Sequence, residues 1–196
     1  KVSYDQIYDE HIFMFSVSSV KKIAEMYDYE LVDILPQVTH GGSMRYIIAR
    51  KKEHSINQKV IEALSLEKKN NLDNIESCLI FKNNCEKSKN KIVTSLKNIK
   101  EEGKEICGYA ATSKSTTILN YCNLDKSIFD YICDTTEEKI GKFSPGTHIP
   151  IVPISHFHKN LPDVAYLFAW NHKNEIFDKE KDFINKGGKW ISHVSI

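Results

Sequence analysis

The chain is poor in the features that define several functional classes at once. It has no bias in charge: 27 Lys and Arg stand against 26 Asp and Glu. Without basic residues clustered on one face, a dedicated nucleic-acid surface is not expected. No stretch approaches the ~20 apolar residues of a membrane span. The opening segment, Lys1 to His11, is polar and carries acids, so it does not read as a signal peptide. Its Cys78, Cys85, Cys107, Cys122 and Cys133 are odd in number, and none stand in a Cys-x-x-Cys pair. Reduced, mostly buried thiols in a cytoplasmic protein are expected, with no metal site. Neither the P-loop spacing nor Gly-x-Gly-x-x-Gly occurs, which disfavours NTP hydrolysis and a dinucleotide fingerprint. The first residue is Lys rather than Met, which points to a trimmed product or a piece of something longer.

What is present is an ordinary apolar share and a clear order of elements. Val17, Val20, Ile23, Ala24 and Tyr27 are apolar at helical spacing, with Ser16, Ser18 and Ser19 near the start, an N-capped amphipathic helix. Glu30 to Leu35 and Arg45 to Ala49 read as two strands around Gly41-Gly42. Lys59 to Lys69 and Leu72 to Lys100 have helical spacing in a polar, charge-rich stretch, whose charges read as solvated helix faces. The character then changes. Ile106 to Ala111 reads as a buried strand, Ser113 to Leu124 as a helix, and Phe129 to Cys133 and Ile149 to Ile154 as strands. Val164 to Trp170 is a further strand, Glu175 to Lys186 a helix and Lys189 to Val194 a last strand. This alternation predicts an α/β fold, a mainly parallel sheet flanked by helices, with ligands at the carboxyl ends of the strands.

Four segments could carry chemistry. In Tyr8-Asp9-Glu10-His11 an imidazole stands beside a carboxylate and a phenol, a workable general-base cluster or simply a polar surface segment. Gly108 to Thr117 ends a strand in small residues and opens a helix with hydroxyls and Lys114. It could bind a phosphate or pyrophosphate, or merely cap the helix. Lys142 to Pro150 holds Gly-Thr-His between two prolines, either presenting His148 or marking a turn. Ala169-Trp170-Asn171 could stack on a base and read its edge, or pack the core and cap a helix.

Taken in order, these segments resemble the nucleotide-sugar C-methyltransferases. Tyr4 to His11, Phe15-Ser16 and Thr39 to Arg45 look like the end of that family's methyltransferase domain. Gly108 to Ala111 with Ser113-Lys114 and Leu119-Asn120, then Pro145 to Pro150, then Ala169 to Asn171, look like its C-terminal domain. The resemblance implies three regions: 1–52, a partial α-β-β end of the methyltransferase domain; 53–104, connecting helices; and 105–196, a Rossmann-like nucleotide-sugar-binding domain.

The resemblance also implies a reaction. A base removes the proton next to a ketone in a deoxy sugar linked to a nucleoside diphosphate, and the enolate takes a methyl group from S-adenosylmethionine. Carried over, His11 is the base, with Tyr8 and Glu10 binding the sugar or orienting it. Ser113 and Lys114 would meet the pyrophosphate, while Asn120, His148, Trp170 and Asn171 would contact base, ribose or sugar; Arg45 is as readily structural. The family's paired cysteines and acidic Gly-x-Gly-type donor loop are not in this sequence. The expectation is therefore a part of the enzyme that neither binds the donor nor turns over alone, the missing half being upstream or on another chain. An exposed edge left by that half would favour self-association. The alternative is a stand-alone nucleotide-sugar-binding module without catalysis.

Overall fold

In a computed structural model, residues 2–194 are described. Lys1, on which the expectation of a longer protein was based, and the last two residues of the 105–196 region lie outside them. The chain forms two compact units: Phe13–Asn83, and residues up to Ile12 together with those from Asn84 onward.

The first unit opens with helix α1 (Val17–Met26). Ser16 caps it: its side chain accepts from the Ser19 N–H at 3.1 Å, and the Ser19 hydroxyl accepts from the Ser16 N–H at 2.8 Å. This capping box satisfies two donors that a helix start otherwise leaves open. Strands β1 (Tyr29–Gln37) and β2 (Ser43–Arg50) form an antiparallel pair with a bulge between Leu31 and Asp33. The turn between them takes Gly41 at φ 84° and Gly42 at φ 134°; the second lies where a side chain is strongly disfavoured. Helix α2 (Gln58–Lys69) sends the Glu67 carboxylate to the start of α1, where it accepts from Val17 N at 2.7 Å and Ser18 N at 2.8 Å. A negative charge at a helix N-terminus is favourable. Val17, Val20, Leu31, Ile34 and Val60 make the core of this unit. Helix α3 (Ile75–Glu101) begins here and continues into the second unit.

The second unit is built on strand β3 (Ile106–Tyr109), followed by helix α4 (Ser113–Cys122), strands β4 (Tyr131–Asp134) and β5 (Ile151–Pro153), and helix α5 (Ile154–Asn160). Strand β6 (Val164–Leu167), helices α6 (Lys173–Lys179) and α7 (Lys181–Asn185), and strand β7 (Lys189–Ile191) complete it. The sheet is parallel throughout, in the order β5-β4-β3-β6-β7. Chain order therefore runs outward from β3 on one side, then returns to its other side at β6. The boundary between β3 and β6 is the point at which open α/β sheets form a crevice for ligands.

The central strands β3, β4 and β6 are buried at every position because both faces are covered. Ile106, Ile132, Val164 and Tyr166 face a core completed by Ile92 and Leu96 of α3 and Ile118 and Leu119 of α4. Cys107, Cys133, Ala165 and Leu167 face the other, with Phe157 of α5, Ile176 of α6 and Phe183 of α7. Gly108 sits under two side chains: a Cβ there would lie 2.7 Å from Phe168 and 2.9 Å from Ile132.

Several boundaries depart from the sequence reading: the strand expected over Val164 to Trp170 ends at Leu167, with Trp170 in a 3-10 turn (Trp170–His172). The strand from Ile106 ends at Tyr109, because Ala110 turns to φ 75°. The apolar run at Ile149–Ile154 passes directly into α5, with Pro153 in extended conformation before it. The helix expected over Glu175–Lys186 is two helices that break at Glu180. That residue is buried; its carboxylate accepts from the Tyr109 hydroxyl at 2.8 Å and faces His158 Nε2 at 2.9 Å. Four of the five cysteines are buried, Cys78 is exposed, and all are free thiols. Among the described residues no helix is long and apolar enough to cross a membrane, and no group of three His, Cys, Asp or Glu could hold a metal ion.

Candidate substrate and proton-transfer site

The N-terminal segment is held on α4 by residues upstream of those singled out for chemistry. A short 3-10 turn, Tyr4–Gln6, buries both Tyr4 and Asp5. Tyr4 enters the core, 3.7 Å from the Cys122 sulfur. Asp5 is fully buried; it accepts from Trp170 Nε1 at 2.6 Å and lies 3.1 Å from His193 Nε2. Thr117 of α4 donates to the Ile7 carbonyl at 3.3 Å.

Tyr8, Asp9 and Glu10 then line a groove of about 460 Å³ with Ser113, Thr116 and Asn120. Two segments more than a hundred positions apart in sequence thus share one surface. His11 packs against Tyr8, ring centroids 4.0 Å apart with the planes tilted by 32°. Its Nδ1 lies 2.8 Å from the Gln6 carbonyl oxygen. A carbonyl only accepts, so Nδ1 carries a proton and donates it there. Burial, then the charges of Glu10 and Asp5, raise the Tyr8 phenol above its ordinary pKa, keeping it a hydrogen-bond donor at neutral pH.

The start of α4 is a second capping box. Thr112 accepts from Ser115 N at 3.2 Å, and the Ser115 hydroxyl accepts from Thr112 N at 3.0 Å. Asp134, at the end of β4, accepts from Ala111 N at 2.6 Å, while Lys139 donates to the Ala111 carbonyl at 2.7 Å. The Ala110–Thr112 connection is therefore fixed from both sides. Ser113 is exposed at the helix start, whereas Lys114 is buried. The Lys114 ammonium donates to Asn171 Oδ1 at 2.7 Å and lies 4.7 Å from the centre of the Trp170 ring. This cluster spans the boundary between β3 and β6. Burial holds the Lys114 pKa below the usual lysine range; the Asp5 carboxylate opposes that shift.

The expected site residues thus fall into three groups. Tyr8, Glu10, Ser113 and Asn120 line one groove, with His11 packed against Tyr8. Lys114, Trp170 and Asn171 form the buried cluster, in which the indole is 5 % exposed. His148 is exposed at φ 54° on a loop whose Gly146, Thr147 and His148 line a groove with Asn120. Asn120 ties that loop to α4 by donating to the Pro145 carbonyl at 3.0 Å. Arg45 belongs to the first unit.

Residues 38–195 match the family described as the C-methyltransferase C-terminal domain. This chain belongs to that family. A curated relative, the C-methyltransferase NovU of Streptomyces niveus, is 31 % identical over 189 residues; the aligned part is 96 % of this chain and 45 % of the relative. The chain thus spans less than half the length of that C-methyltransferase. Asp5, upstream of the matched C-methyltransferase region, and Asp134, Lys139 and His193 within it were not singled out as site residues from sequence. Only their distant partners distinguish them from ordinary polar residues: Asp5 meets Trp170 across 165 positions.

Proposed function

We propose that this chain supplies the substrate-holding and proton-abstracting part of an S-adenosylmethionine-dependent C-methyltransferase acting on a nucleoside-diphosphate-linked keto-deoxy sugar. The observation that carries the reading is the shared groove, in which Tyr8 and Glu10 face Ser113, Thr116 and Asn120. The pyrophosphate lies at the exposed start of α4, where N–H groups and the helix dipole favour an anion. The buried Lys114 adds positive charge from beneath. The sugar extends toward Tyr8 and Glu10.

His11 Nε2 takes the proton from the carbon next to the ketone, while the Gln6 carbonyl holds its Nδ1–H. The neutral Tyr8 hydroxyl donates to the oxygen on which negative charge develops, an interaction strongest in the transition state. Base catalysis of this kind contributes about 10²–10⁴-fold in rate. S-adenosylmethionine supplies the methyl group that the carbanion attacks. The eight glycines include no Gly-x-Gly pair, so no residue of this chain is assigned to the donor and no step is routed through it.

The test separates binding from proton transfer. Calorimetry detects binding of thymidine diphosphate; failure to bind any nucleoside diphosphate refutes the reading. With a keto-sugar nucleotide in D₂O, deuterium enters at the carbon next to the carbonyl. His11→Asn abolishes that exchange and leaves nucleotide affinity within about twofold. Equal loss of both would make His11 structural.

A further inference from the structure

A second groove of about 290 Å³ adjoins the first and shares Ser113 and Thr116 with it. Its other walls are Ala111 and Thr112, then Lys139, Lys142, Phe143, Ser144 and Pro145. Phe143 is 60 % exposed, although the chain around it is held firmly. The Ile151 N–H donates to the Lys142 carbonyl at 2.9 Å, and the Ser144 N–H donates to the Ile149 carbonyl at 2.9 Å. The Ser144 hydroxyl accepts from Ile149 N at 2.9 Å. At the tip, Gly146 has φ 79° and packs so closely on Asn120 that a Cβ would lie 2.2 Å from its Oδ1. The loop is thus a rigid platform locked to α4, presenting one aromatic face and one ammonium toward the start of that helix.

We infer that Phe143 and Lys142 form the nucleoside end of the substrate groove, with the base stacked on the Phe143 ring and the Lys142 ammonium beside the diphosphate. The inference rests on the reading of the first groove as a nucleotide-sugar site and extends it in the opposite direction from Tyr8 and Glu10. Trp170 does not offer a stacking face: it is buried, Lys114 covers its ring and Asp5 takes its N–H. Phe143 offers an exposed ring on a segment already ordered, so stacking a base costs little further conformational entropy. Together the grooves fall within the roughly 300–1,000 Å³ usual for small-molecule sites. Base–aromatic stacking depends on the π-face rather than on base edges, so the platform holds a nucleobase without choosing among bases.

Binding of thymidine diphosphate to the chain and its variants, read by calorimetry, decides the matter. Phe143→Ala weakens binding about tenfold or more, the effect of losing one stacked base. Because the side chain is exposed, the fold is unaffected, which circular dichroism checks. Phe143→Trp restores affinity, and thymidine diphosphate quenches the fluorescence of the new indole. Lys142→Gln weakens binding more at low than at high salt, as an exposed charge should. Wild-type binding with unchanged affinity in Phe143→Ala overturns the inference and leaves the reading of the first groove standing. Absence of wild-type binding overturns both.

Discussion

Asp5 is where the N-terminal segment, the Lys114 cluster and the sheet meet, and its removal should be felt in all three. Its carboxylate is fully buried, accepts the Trp170 N–H at 2.6 Å and lies 3.1 Å from the His193 ring nitrogen, whose side chain is also fully buried. A hydrogen bond to a charged acceptor contributes about 1.5–3 kcal/mol. Deleting the carboxylate also leaves the Trp170 N–H and the His193 ring nitrogen buried and unmatched, at about 1–3 kcal/mol each. The two effects share one carboxylate and do not add, so Asp5→Ala should lose about 4 kcal/mol. For a chain of this length that lowers Tm by roughly 8–16 °C. Asp5→Asn keeps an oxygen for the indole and should lose only about 1–2 kcal/mol. Thermal and urea unfolding measure both. Amide exchange should show residues 4–11 losing protection in Asp5→Ala before the strands do. An Asp5→Ala protein within about 1 kcal/mol of wild type, with those amides still protected, would refute the assignment of Asp5 as the anchor.

The other expectations concern packing and pH. Gly108→Ala places a methyl group 2.7 Å from Phe168 and 2.9 Å from Ile132, and should destabilise by about 1–3 kcal/mol in urea titrations; a neutral outcome would mean the sheet shifts freely. Burial raises the pKa of Tyr109, Tyr131 and Tyr166, with the Glu180 carboxylate adding to the first. A raised folded pKa gives stability that is complete below the unfolded value of about 10 and lost above it, at about 1.4 kcal/mol per pH unit for each phenol. The urea midpoint should therefore fall steeply from pH 10 upward, and Tyr109→Phe should reduce the slope; a flat midpoint to pH 11 contradicts this.

How much was legible in sequence follows the range of the forces involved. Strands β3, β4 and β6 read as continuous apolar runs because helices cover both faces, and such runs mark buried parallel strands. Helices α1 and α4 announced themselves by hydroxyl residues at their starts, and both have full capping boxes. What escaped was set by distant partners. Lys179-Glu180-Lys181 is good helix sequence, yet the chain breaks there so that Glu180 can reach Tyr109, 71 positions away. Helix α5 is seven residues long and buries only Phe157, too little for a periodic signal. The reading of the Tyr8–His11 segment as a base cluster came mainly through family resemblance, since a His beside acids carries little information alone.

The division of labour within that segment has a physical reason. Ordering a residue's backbone costs about 1–2 kcal/mol, so a reactive stretch must be fixed by something. Residues that do the fixing are buried and engaged, as Tyr4 and Asp5 are, and so are poorly placed to meet a substrate. Here the anchors lie three and four positions ahead of Tyr8, close enough that the short turn transmits their constraint. Asp9 and Glu10 remain exposed at the groove, while the carbonyl of Gln6, the residue next to the Asp5 anchor, fixes the orientation of the His11 ring.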